Sequence, residues 1–183
     1  LKGKVVLVDF WTYSCINCIR NNPYIEQWYQ KYKDQGFVVV GVHAPEFAFE
    51  KVTTNVQQAI TDLQITYPVV QDNDLAIWTA YQNQYWPAHY LIDAQGKIRY
   101  THFGEGDYDQ TEAAIQALLT EAGWPPAVTP APVRAESVSF GRLSPETYLG
   151  SKRMEFFDPI GNLPNGNQHF ELQANPSLDA FSL

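Results

Sequence analysis

The chain has 183 residues, 45% hydrophobic and 14% aromatic, which is enough to bury one full domain with a smaller piece beside it and is not the composition of a disordered chain. A formal charge of −8 and a pI near 4.8, with no cluster of Lys and Arg, exclude a nucleic-acid surface and a basic membrane-binding face. No apolar run is long enough to span a bilayer and no charged-then-apolar leader precedes Leu1, so Leu1 reads as a domain boundary, with export or anchoring signals expected upstream.

Val5 to Phe10 reads as a buried strand, Ile16 to Lys33 as a helix interrupted by Pro23, and Phe37 to Val42 as a second strand of the parallel, doubly covered kind. Strand, helix, strand opens an α/β fold. Glu46 to Leu63 is expected to form one helix with Phe47, Val52, Val56, Ala59, Ile60 and Leu63 roughly on one face, followed by a short strand near Pro68-Val69-Val70. Asp72-Asn73-Asp74 reads as the cap of a helix from Leu75 to about Tyr81. Ala88 to Ile92 and Lys97 to Phe103 are strand-like and joined by Asp93-Ala94-Gln95-Gly96, so they should pair as a hairpin and make the sheet mixed. Asp109 to Ala122 is a last amphipathic helix that stops at Gly123.

Prolines 125, 126, 130 and 132 then crowd a stretch that cannot be helix. The expected organisation is a domain over 1–123, a linker over 124–135 and a tail over 136–183. The tail has short strand-like pieces and turn signals such as Pro164-Asn165-Gly166, and reads as part of a β module packed on the first domain or on another chain.

The only two cysteines, Cys15 and Cys18, follow the first strand directly and open the first helix. That position sets the first thiol among free backbone N–H groups at the positive end of a helix dipole, where thiolate is favoured. Such a pair serves dithiol exchange, half of a zinc site, or haem attachment. Ile19-Arg20 follows Cys18 where haem attachment needs His, so haem is out. Zinc needs two more ligands, and His43, His89, His102 and His169 form no closely spaced His pair. Redox exchange is what remains, with no metal and no cofactor expected.

Four points together resemble the thioredoxin superfamily: Val6-Leu7-Val8-Asp9-Phe10-Trp11 before the pair, the pair itself, Pro23 within the active-site helix, and Trp86-Pro87-Ala88 as the cis-proline turn ahead of a strand. The insertion after the second strand and the Leu91-to-Ile98 hairpin resemble the TlpA and ResA branch. Trp11-Thr12-Tyr13-Ser14-Cys15-Ile16-Asn17-Cys18 and Val42-His43-Ala44-Pro45-Glu46 resemble the DipZ-type proteins, in which a membrane domain of the CcdA type is fused to an exported thioredoxin-like domain followed by a β-sandwich similar to a carbohydrate-binding module. Ser144 to Gly150 resembles the start of that module. Ser14 and Ile16-Asn17 depart from the thioredoxin pattern around the cysteines, and Trp86 stands where smaller side chains are usual, so its indole is expected to narrow the substrate groove.

The resemblance implies a thioredoxin fold with a partial all-β module after it, and an exported, membrane-tethered disulfide reductase, with a role in cytochrome c biogenesis. Electrons would pass from a CcdA-type membrane partner to oxidised substrate proteins. Cys15 would attack, Cys18 would resolve, and Asp9 would exchange the Cys18 proton. Trp11, His43, Trp86 and Pro87 would line the substrate groove, with the backbone at Trp86 free to pair an extended substrate. Two other functions stay open. Thr12-Tyr13-Ser14-Cys15 satisfies Thr-x-x-Cys of a peroxiredoxin-type peroxidase, although Val8 stands where that motif has Pro. The tail, through Tyr148, Phe156, Phe157 and Phe170, would alternatively bind sugar or protein, or pair two chains into a homodimer.

Overall fold

A computed structural model describes residues 1–126; most of the expected linker and the whole tail from 136 lie outside the described residues. Five strands form one sheet in the order β3-β2-β1-β4-β5: β1 (Val5–Trp11), β2 (Phe37–His43), β3 (Val69–Gln71), β4 (Ala88–Ile92) and β5 (Ile98–Phe103). Strands β1, β2 and β3 are parallel, while β4 runs antiparallel to β1 and to β5, so the mixed α/β sheet is as expected. All seven residues of the central β1 are buried, which is why it reads as an unbroken apolar run apart from Asp9.

Among the described residues three α-helices lie between strands, α1 (Ile16–Tyr32), α2 (Thr53–Asp62) and α3 (Ala76–Ala80), and a fourth, α4 (Tyr108–Glu121), follows β5. Helix α1 buries Cys18, Asn21, Asn22, Ile25, Trp28 and Tyr32, a stripe three to four residues apart, and carries Pro23 inside it. This stripe meets Val5, Leu7 and Val39 of the sheet and Ile115, Leu118 and Leu119 of α4 in one core cluster. Trp28 and Tyr32 are completely buried there, and side chains of this kind each contribute about 1.5–3 kcal/mol through burial. The opposite face of the sheet packs Val6, Val8, Phe10, Val42 and Tyr90 with Trp78 and Tyr81 on and beside α3. Between α1 and β2 the chain turns at Gly36, which holds a φ of 79° and lies under the Trp124 ring, where a Cβ would come within 2.9 Å.

One expected helix is two elements. Residues Ala48–Lys51 form a single 3₁₀ turn, Val52 is extended, and α2 starts only at Thr53. The reason is Glu50, whose carboxylate turns back to accept the backbone N–H groups of Glu46 and Phe47 at 2.7 and 2.8 Å and so closes a loop of its own. Phe47 and Val52, expected on the buried face, are consequently about half exposed, and only Val56 of α2 is fully buried. The cap before α3 works from farther away than expected: both Asp72 oxygens accept, from the N–H groups of Ile77 and Trp78.

Candidate functional site

The site forms where β1 ends and β4 begins. Register sets Phe10 opposite Ala88, so Pro87 comes beside the Trp11 end of β1, and the Trp86-Pro87 bond is cis. Cys15 is the N-cap of α1: its sulfur accepts the Cys18 N–H at 3.3 Å. Both cysteines are thiols, Cys15 partly exposed and Cys18 buried behind it.

Their environments pull the two thiols apart. A hydrogen bond with the Cys18 thiol lowers the Cys15 pKa; burial works against it, and the backbone N–H groups of Cys18 and Asn17 add to the lowering. Glu46 opposes it with negative charge. Burial pushes Cys18 far up, with the Cys15 contact and the charge of Asp9 adding to it. One thiol is set to be a nucleophile, and the other keeps its proton until something takes it.

Asp9 is buried with its Oδ1 3.2 Å from His89 Nε2, and that nitrogen also lies 2.8 Å from Asn21 Nδ2. Trp86 is tied down, its indole N–H donating to the Ala44 carbonyl at 2.9 Å while its ring lies 4.2 Å from Trp78. Trp11 and His43 do not line a groove. Both are buried, His43 completely, held edge-on by Trp11 at 5.0 Å and stacked on Tyr13 at 5.6 Å, because β2 ends beneath the loop that carries the cysteines. Burial also lowers the His43 pKa against the charge of Glu50, which favours a neutral ring.

Glu50 was not singled out by its sequence, yet it organises the loop before Cys15. Its Oε1 accepts the Ser14 hydroxyl at 2.6 Å. Burial raises its pKa, but hydrogen bonds from Ser14, Thr12 and the two backbone amides outweigh that and hold the carboxyl below its usual range. Ser14, expected as a turn residue, is therefore a donor to a buried carboxylate, while the hydroxyl of Thr12, part of the expected peroxidase motif, lies 3.4 Å from His43 Nε2. No group of three or more His, Cys, Asp or Glu among the described residues is arranged to hold a metal ion.

A mixed sheet with an exposed thiol capping the helix after its central strand, a buried partner thiol and a facing cis-proline define a protein of thioredoxin fold with a redox dithiol. Residues 1–119 match the redoxin family, and the chain belongs to that family. It is 45% identical over its whole length to the protein DipZ of Mycobacterium bovis, of which it spans 27%. The thiol-disulfide oxidoreductase YkuV of Bacillus subtilis is 30% identical over 118 residues, 64% of this chain and 79% of that protein. Among solved structures, one assigned as the thiol:disulfide interchange protein DsbE of Chlorobium tepidum superposes with a TM-score of 0.60 at 29% identity, covering 64% of this chain and 82% of that one.

Proposed function

We propose that this chain, a thiol–disulfide oxidoreductase of the redoxin family, works in the reducing direction on disulfides of extracytoplasmic proteins. The observation that carries this reading is the split between the thiols: Cys15 partly exposed and favoured as thiolate, Cys18 buried and held as thiol. Cys15 attacks one sulfur of a substrate disulfide, forming a mixed disulfide and releasing the first substrate thiolate. Cys18 then attacks the Cys15 sulfur, the second substrate thiolate leaves, and Cys15 and Cys18 end as a disulfide. Asp9 takes the proton that Cys18 loses. Trp86 and Pro87 present the edge along which an extended substrate lies.

The reducing direction rests on what surrounds Cys15. Asp9 stands behind the pair and Ile16-Asn17 puts no His between the cysteines to stabilise the thiolate strongly, which favours a reducing over an oxidising poise. Electrons are proposed to come from a membrane domain of the CcdA type, which in DipZ-type proteins belongs to the same polypeptide. Similarity to DipZ along the entire chain supports this and, with it, an extracytoplasmic, membrane-tethered position and service to cytochrome c assembly. No helix among the described residues is long and apolar enough to cross a membrane.

The test is capture. A Cys18→Ser chain cannot resolve and should accumulate mixed disulfides through Cys15, identifiable by mass spectrometry in membranes and in the extracytoplasmic fraction. Capture that is equally strong in a chain carrying both Cys15→Ser and Cys18→Ser would rule the reading out.

A further inference from the structure

Behind the dithiol, four side chains stand in a row from the core to the surface. Asp9 Oδ1 lies 3.2 Å from His89 Nε2, and the His89 ring lies 5.9 Å from the ring of His102, its direct cross-strand neighbour on β5. His102 Nδ1 in turn lies 3.8 Å from Asp107 Oδ2, and the Asp107 side chain is 58% exposed. Each histidine therefore turns one nitrogen toward a carboxylate. On each ring the other nitrogen, His89 Nδ1 and His102 Nε2, is buried without a hydrogen-bond partner. Asp9 Oδ1 and Asn21 Oδ1 beside them are in the same position, a set of buried polar atoms that ordered water can join.

We propose that His89 and His102 are a proton path joining Asp9, and through it Cys18, to solvent at Asp107, on β4 and β5 and away from the thiol that meets substrate. This rests on the reading of Asp9 as the acceptor of the Cys18 proton. The steps balance. When Cys18 attacks the mixed disulfide its thiol proton goes to the Asp9 carboxylate. Asp9 passes a proton to His89 Nε2, where the Asn21 amide also points, while His89 Nδ1 gives its own proton to His102 Nε2 through a bridging water. The His102 imidazolium, beside the Asp107 carboxylate, releases a proton from Nδ1 to water. One proton leaves per disulfide formed. Reduction of the Cys15–Cys18 disulfide by the electron donor runs the same path inward and restores the starting tautomers.

Asn21, Cys18 and the edge of Trp28 meet this row from α1, the Tyr67 hydroxyl is within electrostatic reach of both Asp9 and Cys18, and Arg20 of α1 pairs at 3.6 Å with Glu105, two residues before Asp107.

The experiment follows the second chemical step alone. Reduced chain is converted to the mixed disulfide of Cys15 with thionitrobenzoate, and release of the thionitrobenzoate anion by Cys18 is timed in stopped flow across pH, in H₂O and D₂O. His102→Gln, which changes a partly exposed residue and keeps its size, is expected to slow release about tenfold, part of the ~10²–10⁴-fold that general acid–base transfer commonly supplies. Added imidazole should restore His102→Gly in proportion to its concentration. Attack by Cys15, measured in a Cys18→Ser background, should not change. Normal release in His102→Gln and His89→Gln, with unaltered pH profiles, while Asp9→Asn is slow, would overturn the path and leave Asp9 in place. Normal release in Asp9→Asn as well would overturn the role of Asp9 itself. If His89→Gln does not fold, His102→Gln decides.

Discussion

Glu50→Ala is expected to weaken the whole active-site end of the domain, and the size of the effect can be worked out from its contacts. The carboxylate is completely buried and accepts from Ser14 Oγ at 2.6 Å and from the N–H groups of Glu46 and Phe47 at 2.7 and 2.8 Å. Alanine removes the acceptor and leaves these donors. The Ser14 hydroxyl can rotate toward another partner, but the backbone N–H groups cannot, and an orphaned buried donor costs about 1–3 kcal/mol. The expected loss is about 2–4 kcal/mol at pH 7, a fall in Tm of about 10–15 °C for a domain of this size. Glu50→Gln keeps one oxygen for the backbone amides and turns an NH₂ to the Ser14 hydroxyl, which can accept, so it should cost only about 1–2 kcal/mol.

The pH dependence has a definite sign. The folded pKa of Glu50 lies below its unfolded value, so its stabilisation is fully present above the unfolded pKa of about 4.3 and is lost as pH falls through the folded one. The advantage of the native chain over Glu50→Gln should therefore shrink as urea denaturation is moved from neutral pH to below about pH 4. Glu50→Ala within ~0.5 kcal/mol of the native chain at pH 7 would refute the caged-carboxylate reasoning, as would an advantage that grows with acidity.

Further outcomes concern the chemistry. Cys15→Ser should abolish reduction of insulin disulfides, whereas Cys18→Ser should keep the first attack and stall as a mixed disulfide, seen on non-reducing gels. Iodoacetamide should label Cys15 at pH values below the ordinary thiol pKa of ~8.5, and Cys18 should stay unlabelled until the chain unfolds, as peptide mapping will report. Trp86→Ala removes the bond to the Ala44 carbonyl and the Trp78 contact; it should raise KM for protein disulfides more than it lowers kcat, and a change confined to kcat would argue against a substrate-facing role.

The strands were legible because β1, β2 and β4 are buried on both faces and therefore appear as apolar runs, and the cysteine pair was legible because it stands directly between β1 and α1. What escaped reading depends on contacts distant in sequence. Glu50 sits in a stretch whose apolar spacing suits a helix, and the hydroxyl that helps to cage it comes 36 residues earlier, at Ser14. A local sign existed only in Glu46 and Phe47, whose amides it collects. His89 and His102 read as ordinary strand residues. The hairpin register at Ile92↔Ile98 alone would set His89 opposite Thr101, and the irregularity between Leu91 and Ile92 shifts the pairing by one residue to His102. His43, at the end of the second strand, was expected to line the substrate groove, but the aromatic residues Trp11 and Tyr13 pack against its ring and it is buried.

The claim that orders everything else is that this dithiol gives electrons. Equilibrating the chain against reduced and oxidised glutathione, with the fraction of Cys15–Cys18 disulfide read by alkylation and mass spectrometry, tests it most directly. A reducing potential, nearer the thioredoxin value of about −270 mV than the DsbA value, is predicted, since Ile16-Asn17 puts no His between the cysteines. A potential near −120 mV, roughly that of DsbA, would contradict the reductase assignment and make the protein an oxidant.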